Sequence, residues 1–197
     1  MGRLRYLTAA DLPADSQIPL MKANITRAVA NSPGVARLVA GMGAYLRNDS
    51  PLDPRLRELA ILQVGYTTRS VYEWAHHVEI GTRFGLSRED ILAIGLESEG
   101  ETSHLEPLAR MVLAAAREMT IEMTLAEDTF AALREGMALP ALVDLLVAIG
   151  EYNGLVRVMA AIEIDLEPEY LPWMADFPLP GTPSPARPQT GRGERPA

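Results

Sequence analysis

Two polar side chains with acid/base chemistry, and a third that can hydrogen-bond, lie on the apolar side of one predicted helix. The helix spans residues 69–84 and carries Ser70, Glu73 and His77. At 100° per residue, these three positions lie between apolar ones. Glu73 and His77 are four residues apart, so their side chains can meet on one face. A buried carboxylate and imidazole are costly unless they are paired or used, and the pattern therefore indicates a proton-transfer site.

The neighbouring His76 falls on a different side of the same helix. Together with Tyr72 and Glu79, it occupies the side that the helical wheel assigns to solvent. We therefore expect His76 to be a surface residue, whereas His77 is buried.

A second carboxylate precedes this helix. Residues 55–66 are apolar almost all round, as expected for a helix in the middle of a bundle, and Glu58 lies among the apolar positions. Desolvation raises the pKa of a glutamate, so Glu58 is expected to act as a proton donor or base near neutral pH. Arg55, three residues earlier, offers an alternative, which is a salt bridge within the helix.

The elements that position these residues are all predicted to be helical. Asp53-Pro54 is a typical helix start, Ser87 is an N-cap with Asp90 at N3, and Thr124 with Glu127 forms a capping-box pattern. No sustained period-2 pattern predicts a strand. We expect an all-α bundle of about eight helices: 20–30, 34–47, 54–68, 69–84, 88–96, 105–119, 125–136 and 140–164.

The chain divides into three predicted parts. Residues 1–18 form an N-terminal arm, residues 19–166 the helical domain, and residues 167–197 a proline-rich tail that is extended over its last 20 or so residues. The apolar stretch at 171–174 is expected to dock on the body or on a neighbouring subunit. The N-terminus lacks the apolar segment of a secretory signal, which predicts a cytoplasmic protein.

Composition excludes several classes of site. The chain has 197 residues, 48% of them hydrophobic, and no cysteine. Disulfides, thiolate metal sites and thiol nucleophiles are thereby excluded. A net charge of −8 argues against a nucleic-acid partner and against an anionic membrane surface. No window approaches 18 uninterrupted apolar residues, so no membrane span is expected.

The same residues carry a resemblance to a known family. The elements are Arg57-Glu58-Leu59-x-x-Leu62, then Ser70-x-x-Glu73-Trp74-x-x-His77, then Gly85-Leu86-Ser87-x-x-Asp90-Ile91. In this order and spacing they resemble the carboxymuconolactone decarboxylase family, which includes the AhpD alkylhydroperoxidases. Residues 151–157 resemble the Tyr-Asn helix of the branch with a Tyr-Glu-Trp-x-x-His motif. The resemblance implies an AhpD-like helical fold and a homo-oligomer, trimeric or hexameric.

The resemblance also implies which chemistry is lost. In the peroxidase branch, a glutamate is followed 12 and 15 residues later by two cysteines and 19 residues later by a histidine. Counted from Glu58, these offsets fall on Ser70, Glu73 and His77. The acid and the histidine are present and both sulfurs are replaced, so the thiol peroxidase route is not expected.

The decarboxylase side of the family remains, and it implies a lyase that uses no cofactor on a small-molecule substrate, a lactone or keto acid. The hypothesis assigns Glu58 and His77 to proton transfer and Glu73 to orienting His77 or sharing its proton. Ser70 is assigned a substrate hydrogen bond. Further candidates for the pocket wall are Tyr66, Trp74 and Asn153.

Two alternatives remain open. Glu73 and His77 have the i,i+4 spacing of metal ligands, and Glu58 could supply a third, as in a water-activating hydrolase. Alternatively, the polar residues form a buried network that fixes helix register in a non-catalytic oligomer. In that case the long C-terminal helix, with Gly150 and Gly154, is a candidate interface.

Overall fold

The protein folds as an all-α bundle, which confirms the predicted fold class. The computed structural model describes residues 2–13, 20 and 22–181. Within these residues there are nine α-helices and no strand, with short 3-10 turns at Ala9–Asp11 and Pro168–Tyr170. The helices are α1 (Asn24–Val29), α2 (Pro33–Asn48), α3 (Pro54–Thr68), α4 (Val71–Arg83), α5 (Arg88–Ser98), α6 (Pro107–Ile121), α7 (Glu127–Gly136), α8 (Leu139–Ala161) and α9 (Leu171–Asp176).

Helix α3 is the central element of the bundle. It packs against α4, α5, α6 and α8, and every residue from Leu56 to Gly65 is buried. Asp53 caps its N-terminus by accepting hydrogen bonds from the backbone N–H groups of Arg55 and Leu56, as predicted. Because α3 is enclosed on all sides, any charged residue on it must find its partner inside the protein.

One predicted helix start is correct and another is wrong. Ser87 and Asp90 form a reciprocal capping box at the start of α5. Thr124 does not cap α7, which begins three residues later at Glu127. Glu118 of α6 instead accepts hydrogen bonds from the backbone N–H of Ala126 and the hydroxyl of Thr129. A carboxylate from a neighbouring helix thus accepts the hydrogen bonds that are free at the start of α7.

The chain continues to pack on the bundle after residue 166, where the tail was predicted to begin. Glu167 is buried, and Met174, Phe177 and Leu179 join the hydrophobic core. The indole N–H of Trp74 donates a hydrogen bond to the carbonyl of Phe177 at 2.7 Å. The apolar stretch at 171–174 therefore docks on the body of its own chain. Residues 182–197 of the predicted tail lie outside the described residues.

The described part of the N-terminal arm lies beside the end of α8. The backbone N–H of Arg3 donates to the carbonyl of Ile162 at 2.7 Å, and the Tyr6 hydroxyl donates to Asp165 at 3.0 Å. Residues 14–19, at the predicted boundary of the arm, lie outside the described residues.

Helices α1 and α2 cover one side of the bundle loosely. Only Ala36 and Leu46 of α2 are buried, whereas Val35, Leu38, Met42 and Tyr45 are exposed. A cavity lies between this pair of helices and the faces of α4 and α8. Of the described helices, only α8 is long and apolar enough to span a membrane by length and composition, a property shared by core helices of soluble proteins.

Candidate active site

His77 lies between two carboxylates. Its Nδ1 is 2.7 Å from Oε2 of Glu58 on α3, and its Nε2 is 2.9 Å from Oε1 of Glu73, one turn earlier on α4. The contact with Glu58 is a hydrogen bond, whereas Oε1 of Glu73 is buried and receives no hydrogen bond of good geometry. The predicted meeting of Glu73 and His77 on one face is confirmed, and the two helices bring Glu58 to the same imidazole.

Arg57, not Arg55, is the arginine that pairs with Glu58. The Nε of Arg57 donates to Oε1 of Glu58 at 3.0 Å, and its Nη1 donates to the Leu46 carbonyl at 2.9 Å. Arg55 turns away from Glu58 and pairs with Asp90 and Glu106. Arg57, Glu58, His77 and Glu73 therefore form a continuous chain of alternating charge.

The charge chain determines the protonation of its members. Burial by itself would raise the pKa of Glu58, but the imidazole of His77 and the guanidinium of Arg57 outweigh burial and lower that pKa. Burial by itself would lower the pKa of His77, but the carboxylates of Glu73 and Glu58 raise it to about 9. The expectation of a raised Glu58 pKa is thus wrong: Glu58 is a carboxylate and His77 an imidazolium at neutral pH.

Glu73 and His77 open onto a cavity of about 270 Å³. The T-shaped contact of Tyr152 with the His77 ring, at 5.0 Å between centroids, forms part of its wall. Glu58 does not line the cavity and lies behind His77. Most other lining residues are apolar, and the polar or charged ones are Thr26, Arg47, Tyr72, Glu73, His76, His77, Glu151 and Tyr152.

The prediction that His76 faces solvent is wrong. Its ring is stacked between those of Tyr72 and Tyr170, with centroid distances of 4.3 and 3.7 Å. Its Nε2 is 2.8 Å from Oε2 of Glu167. The other carboxylate oxygen, Oε1 of Glu167, accepts a hydrogen bond from the Tyr72 hydroxyl at 2.9 Å. The helical wheel placed this side in water because it could not include a C-terminal segment that folds back onto α4.

Four of the seven predicted site residues belong neither to the cavity wall nor to the charge chain. The Ser70 hydroxyl caps α4 by accepting from the backbone N–H of Glu73. The Trp74 side chain donates a hydrogen bond to the C-terminal segment. The ring of Tyr66 contacts the ring of Trp74, with centroids 5.6 Å apart. The side-chain amide of Asn153 donates to Thr120 and to the carbonyl of Ile149. Of the remaining three, Glu73 and His77 line the cavity and Glu58 supports them.

Sequence reasoning missed Arg57, Tyr152 and Glu151. Arg57 is adjacent to Glu58 in the Arg57-Glu58-Leu59 motif, and its position on an otherwise apolar helix was a usable signal. Glu151 and Tyr152 lie on α8 within the quoted motif at 151–157, but nothing in that motif shows which of its residues face α4. In the folded protein both line the cavity, whereas Asn153 next to them does not.

The described residues contain no group of three or more His, Asp or Glu side chains arranged to hold a metal ion. Both ring nitrogens of His77 are within 3 Å of a carboxylate oxygen, so both act as proton donors. A metal-bound imidazole needs a free lone pair, which this imidazolium lacks. The arrangement suits proton transfer better than metal ligation.

A model described as the carboxymuconolactone decarboxylase family matches residues 33–118. This segment includes Glu58, Glu73 and His77, and it ends before α8. No curated protein matches the chain.

Solved structures of similar fold cover more of the chain. A peroxidase-related protein from Ralstonia eutropha JMP134, described as an alkylhydroperoxidase AhpD core, has a TM-score of 0.70 at 19% identity, over 86% of this chain and 94% of that one. A peroxidase-related protein from Silicibacter sp. TM1040 has a TM-score of 0.68 at 20% identity, over 86% and 97%. A putative antioxidant defence protein AhpD from Agrobacterium tumefaciens has a TM-score of 0.62 at 20% identity, over 71% and 94%.

Proposed function

Since residues 33–118 belong to the carboxymuconolactone decarboxylase family and the chain has the AhpD-like fold, we propose that the protein is an acid/base lyase. It decarboxylates a small lactone or keto acid and uses no cofactor. The thiol peroxidase route is excluded because the chain contains no cysteine.

The observation that carries the proposal is the charge chain of Arg57, Glu58, His77 and Glu73. Its inner end is buried and fixed by the Leu46 carbonyl, and its outer end forms the wall of the cavity. The His77 imidazolium, whose Nε2 is 2.9 Å from Oε1 of Glu73, is therefore positioned before substrate binds. Preorganised donors of this kind stabilise charge that develops in a transition state.

The geometry favours roles for Glu58 and Glu73 that are the reverse of those assigned from the sequence. Glu58 orients the imidazole and keeps it charged, whereas Glu73 and His77 face the substrate. When the bond between the substrate carbon and its carboxylate breaks, the electron pair moves to the neighbouring carbonyl oxygen. The Nε2 proton of His77 moves to that oxygen, carbon dioxide leaves, and an enol remains. The enol then takes a proton at carbon, drawn in the end from water, and returns its hydroxyl proton to His77.

The remainder of the cavity suits a small anion with an apolar body. Its walls are mostly apolar side chains, and the Arg47 guanidinium is exposed at its edge. Among the described residues, Arg47 forms no hydrogen bond or ion pair, so its charge is available to a substrate carboxylate. Arg57 cannot play this part because it is buried and paired with Glu58.

The test is a screen for carbon dioxide release from carboxymuconolactone and from β-keto acids such as 2-oxocyclohexanecarboxylate. Wild type is compared with E73Q and with E89Q, which removes an exposed carboxylate on α5 outside the cavity. We expect turnover by wild type and E89Q, and a loss of about 100-fold or more in E73Q. Equal rates for all three proteins, or none for wild type on any substrate, would contradict the proposal.

A purely structural network is the second candidate, and the burial of Arg57 and Glu58 favours it. Structural roles predict that E73Q and E58Q lose similar amounts of unfolding free energy. In the lyase, Glu73 forms the outer end of the chain at the cavity, so E73Q should lose activity with little loss of stability. Urea denaturation of both variants separates the two candidates.

We also propose that the protein is a cytoplasmic homo-oligomer, a trimer or hexamer. An exposed stripe on α8, which includes Leu139, Val143, Val147 and Val158, supports this proposal. Gly150 and Gly154 continue the stripe. Light scattering of wild type and V147D measures the assembly, and an unchanged mass for V147D would contradict this interface.

A further inference from the structure

A third carboxyl group, that of Glu151, lies in the cavity. It is carried by α8, next to Tyr152, whose ring covers His77. Its Oε2 is buried and has no hydrogen-bond partner, and the side chain forms no ion pair with any described residue. The side chain is half-buried, and a carboxylate there would be poorly solvated at Oε2 and would have no paired counter-ion. The protonated acid avoids both costs.

Among the described residues that line the cavity with Glu151, only Arg47 on α2 carries a full positive charge that is not already paired. The imidazolium of His77 is neutralised by Glu73 and Glu58. Desolvation, followed by the charge of Glu73, raises the pKa of Glu151 to about 7. The titratable and charged groups that line the cavity with it are Arg47, Tyr72, Glu73, His76, His77 and Tyr152.

The other proton-bearing side chains of the cavity are weaker acids or are already engaged with a partner. Burial raises the pKa of Tyr72 and of Tyr152 above the usual value of a phenol. His76 is bonded to Glu167 and stacked between two tyrosine rings. The proton of His77 is shared with its two carboxylates and serves the substrate oxygen in the proposed reaction.

We propose that Glu151 is the general acid that protonates the substrate carbon after carbon dioxide has left. This inference rests on the proposed lyase function and adds the donor that the reaction still needs. The Glu151 O–H bond breaks, its proton forms the new C–H bond of the product, and the enol hydroxyl returns its proton to His77 and Glu73. The Glu151 carboxylate then takes a proton from water, so each turnover consumes one proton and releases one carbon dioxide.

The proposal places the two proton-transfer steps on different helices. Glu73 and His77 of α4 serve the substrate oxygen, and Glu151 of α8 serves the substrate carbon. Both groups line one cavity, so a small keto acid bound between the helices contacts both. The Glu151 step is the reverse of removing an α-hydrogen from the ketone product, and this reverse step can be measured by itself.

The experiment compares wild type, E151Q and E151D with E135Q, which removes an exposed carboxylate on α7 outside the cavity. The substrate is 2-oxocyclohexanecarboxylate, and its product cyclohexanone is incubated with each protein in D2O. We expect E151Q to lower kcat at least 50-fold with KM changed less than threefold, and to abolish deuterium exchange into cyclohexanone. E151D should retain part of both activities, and E135Q all of them.

A second measurement needs no turnover. Infrared spectra of wild type should contain a protonated carboxyl band that disappears as the pH rises through about 7. The band should be absent in E151Q and present in E135Q. Its presence in E151Q, or its absence in wild type at pH 5.5, would overturn the assignment of the neutral acid.

The outcomes separate this inference from the lyase proposal. Turnover by wild type with kcat and deuterium exchange unchanged in E151Q overturns the donor role and leaves the lyase. No turnover by wild type on any substrate overturns the lyase and the donor role together. Turnover that requires Glu151, with loss of exchange and of the infrared band, supports both.

Discussion

Two adjacent histidines on α4 are buried to the same extent, and their environments differ. His76 is 7% exposed and His77 is 6% exposed. His77 lies between the carboxylates of Glu58 and Glu73, whereas His76 has the single carboxylate of Glu167 and an aromatic ring on each face. Desolvation lowers the pKa of His76 although Glu167 opposes it, and two carboxylates raise the pKa of His77 to about 9.

The difference shows that burial alone does not determine the charge of a histidine. Desolvation favours a lower pKa for both rings, and the number of nearby carboxylates decides whether the pKa ends below or above its usual value. The His77 cluster, formed by Arg57, Glu58, Glu73 and His77, holds a positive charge at the wall of a cavity. The His76 cluster, formed by Tyr72, His76, Glu167 and Tyr170, also borders that cavity, and it joins α4 to the C-terminal segment through Glu167. Glu167 also accepts a hydrogen bond from the backbone N–H of Asn24 at the start of α1.

The largest expected effect is a difference in catalytic rate between variants of His77 and variants of His76. We expect H77Q to lower the rate of carbon dioxide release by about 100-fold or more, because it removes the charged proton carrier. H76Q should stay within about tenfold of wild type, since its ring serves mainly to join α4 to Glu167. Steady-state assays with the substrate from the screen measure both. Similar losses in the two variants would remove the functional distinction.

The next effect concerns stability. Glu58→Ala leaves Arg57 and the His77 imidazolium buried without their shared carboxylate, and we expect a loss of about 3–5 kcal/mol. Glu167→Ala removes hydrogen bonds that join α1, α4 and the C-terminal segment, and we expect a smaller loss of about 1–3 kcal/mol. Urea denaturation measures both losses, with E89Q as the control for a lost surface charge. A larger loss for Glu167→Ala would reverse the assignment of the two clusters.

The smallest effect is opposite pH dependence. The folded-state pKa of His77 is raised from 6.5 to about 9, so its contribution is full below about pH 6.5 and is lost as the pH rises through 9. This loss amounts to at most about 3 kcal/mol. The folded-state pKa of His76 is lowered from 6.5, so stability is lost as the pH falls below that value and the unfolded chain takes up a proton.

Unfolding free energies of wild type, H76Q and H77Q between pH 5 and pH 10 test this contrast. H77Q should flatten the alkaline side of the profile and H76Q the acid side. The same variant flattening both sides would show that the two rings titrate as one unit.

The helical class and the pairing of Glu73 with His77 could be predicted because they depend on local spacing. A four-residue separation places two side chains on one helix face in any fold. The wheel could also place Glu58 in an apolar environment. It could not identify Arg57 as the partner, because both Arg55 and Arg57 are close to Glu58 along the chain and their directions depend on Asp90, Glu106 and the Leu46 carbonyl.

The errors have a common physical cause, which is contact between segments far apart in sequence. His76 is covered by residues 167–170, more than 90 positions later. Ser70 was assigned from the helical wheel, and Tyr66, Trp74 and Asn153 were candidates for the pocket wall. In the structure, Ser70 caps α4 and Trp74 bonds to the C-terminal segment. Tyr66 contacts Trp74, and Asn153 bonds to α6. Proximity in a motif does not define a cavity wall when adjacent helical residues point 100° apart.

The sequence by itself determined the helical class and the absence of thiol chemistry, because residue type and local periodicity are sufficient for these. Only the tertiary structure decided which carboxylates are charged. Glu58 and Glu151 are the same residue type, and their protonation depends on the partners that the helices around them provide. Glu58 meets two cations, Glu73 meets one, and Glu151 meets none at hydrogen-bond distance.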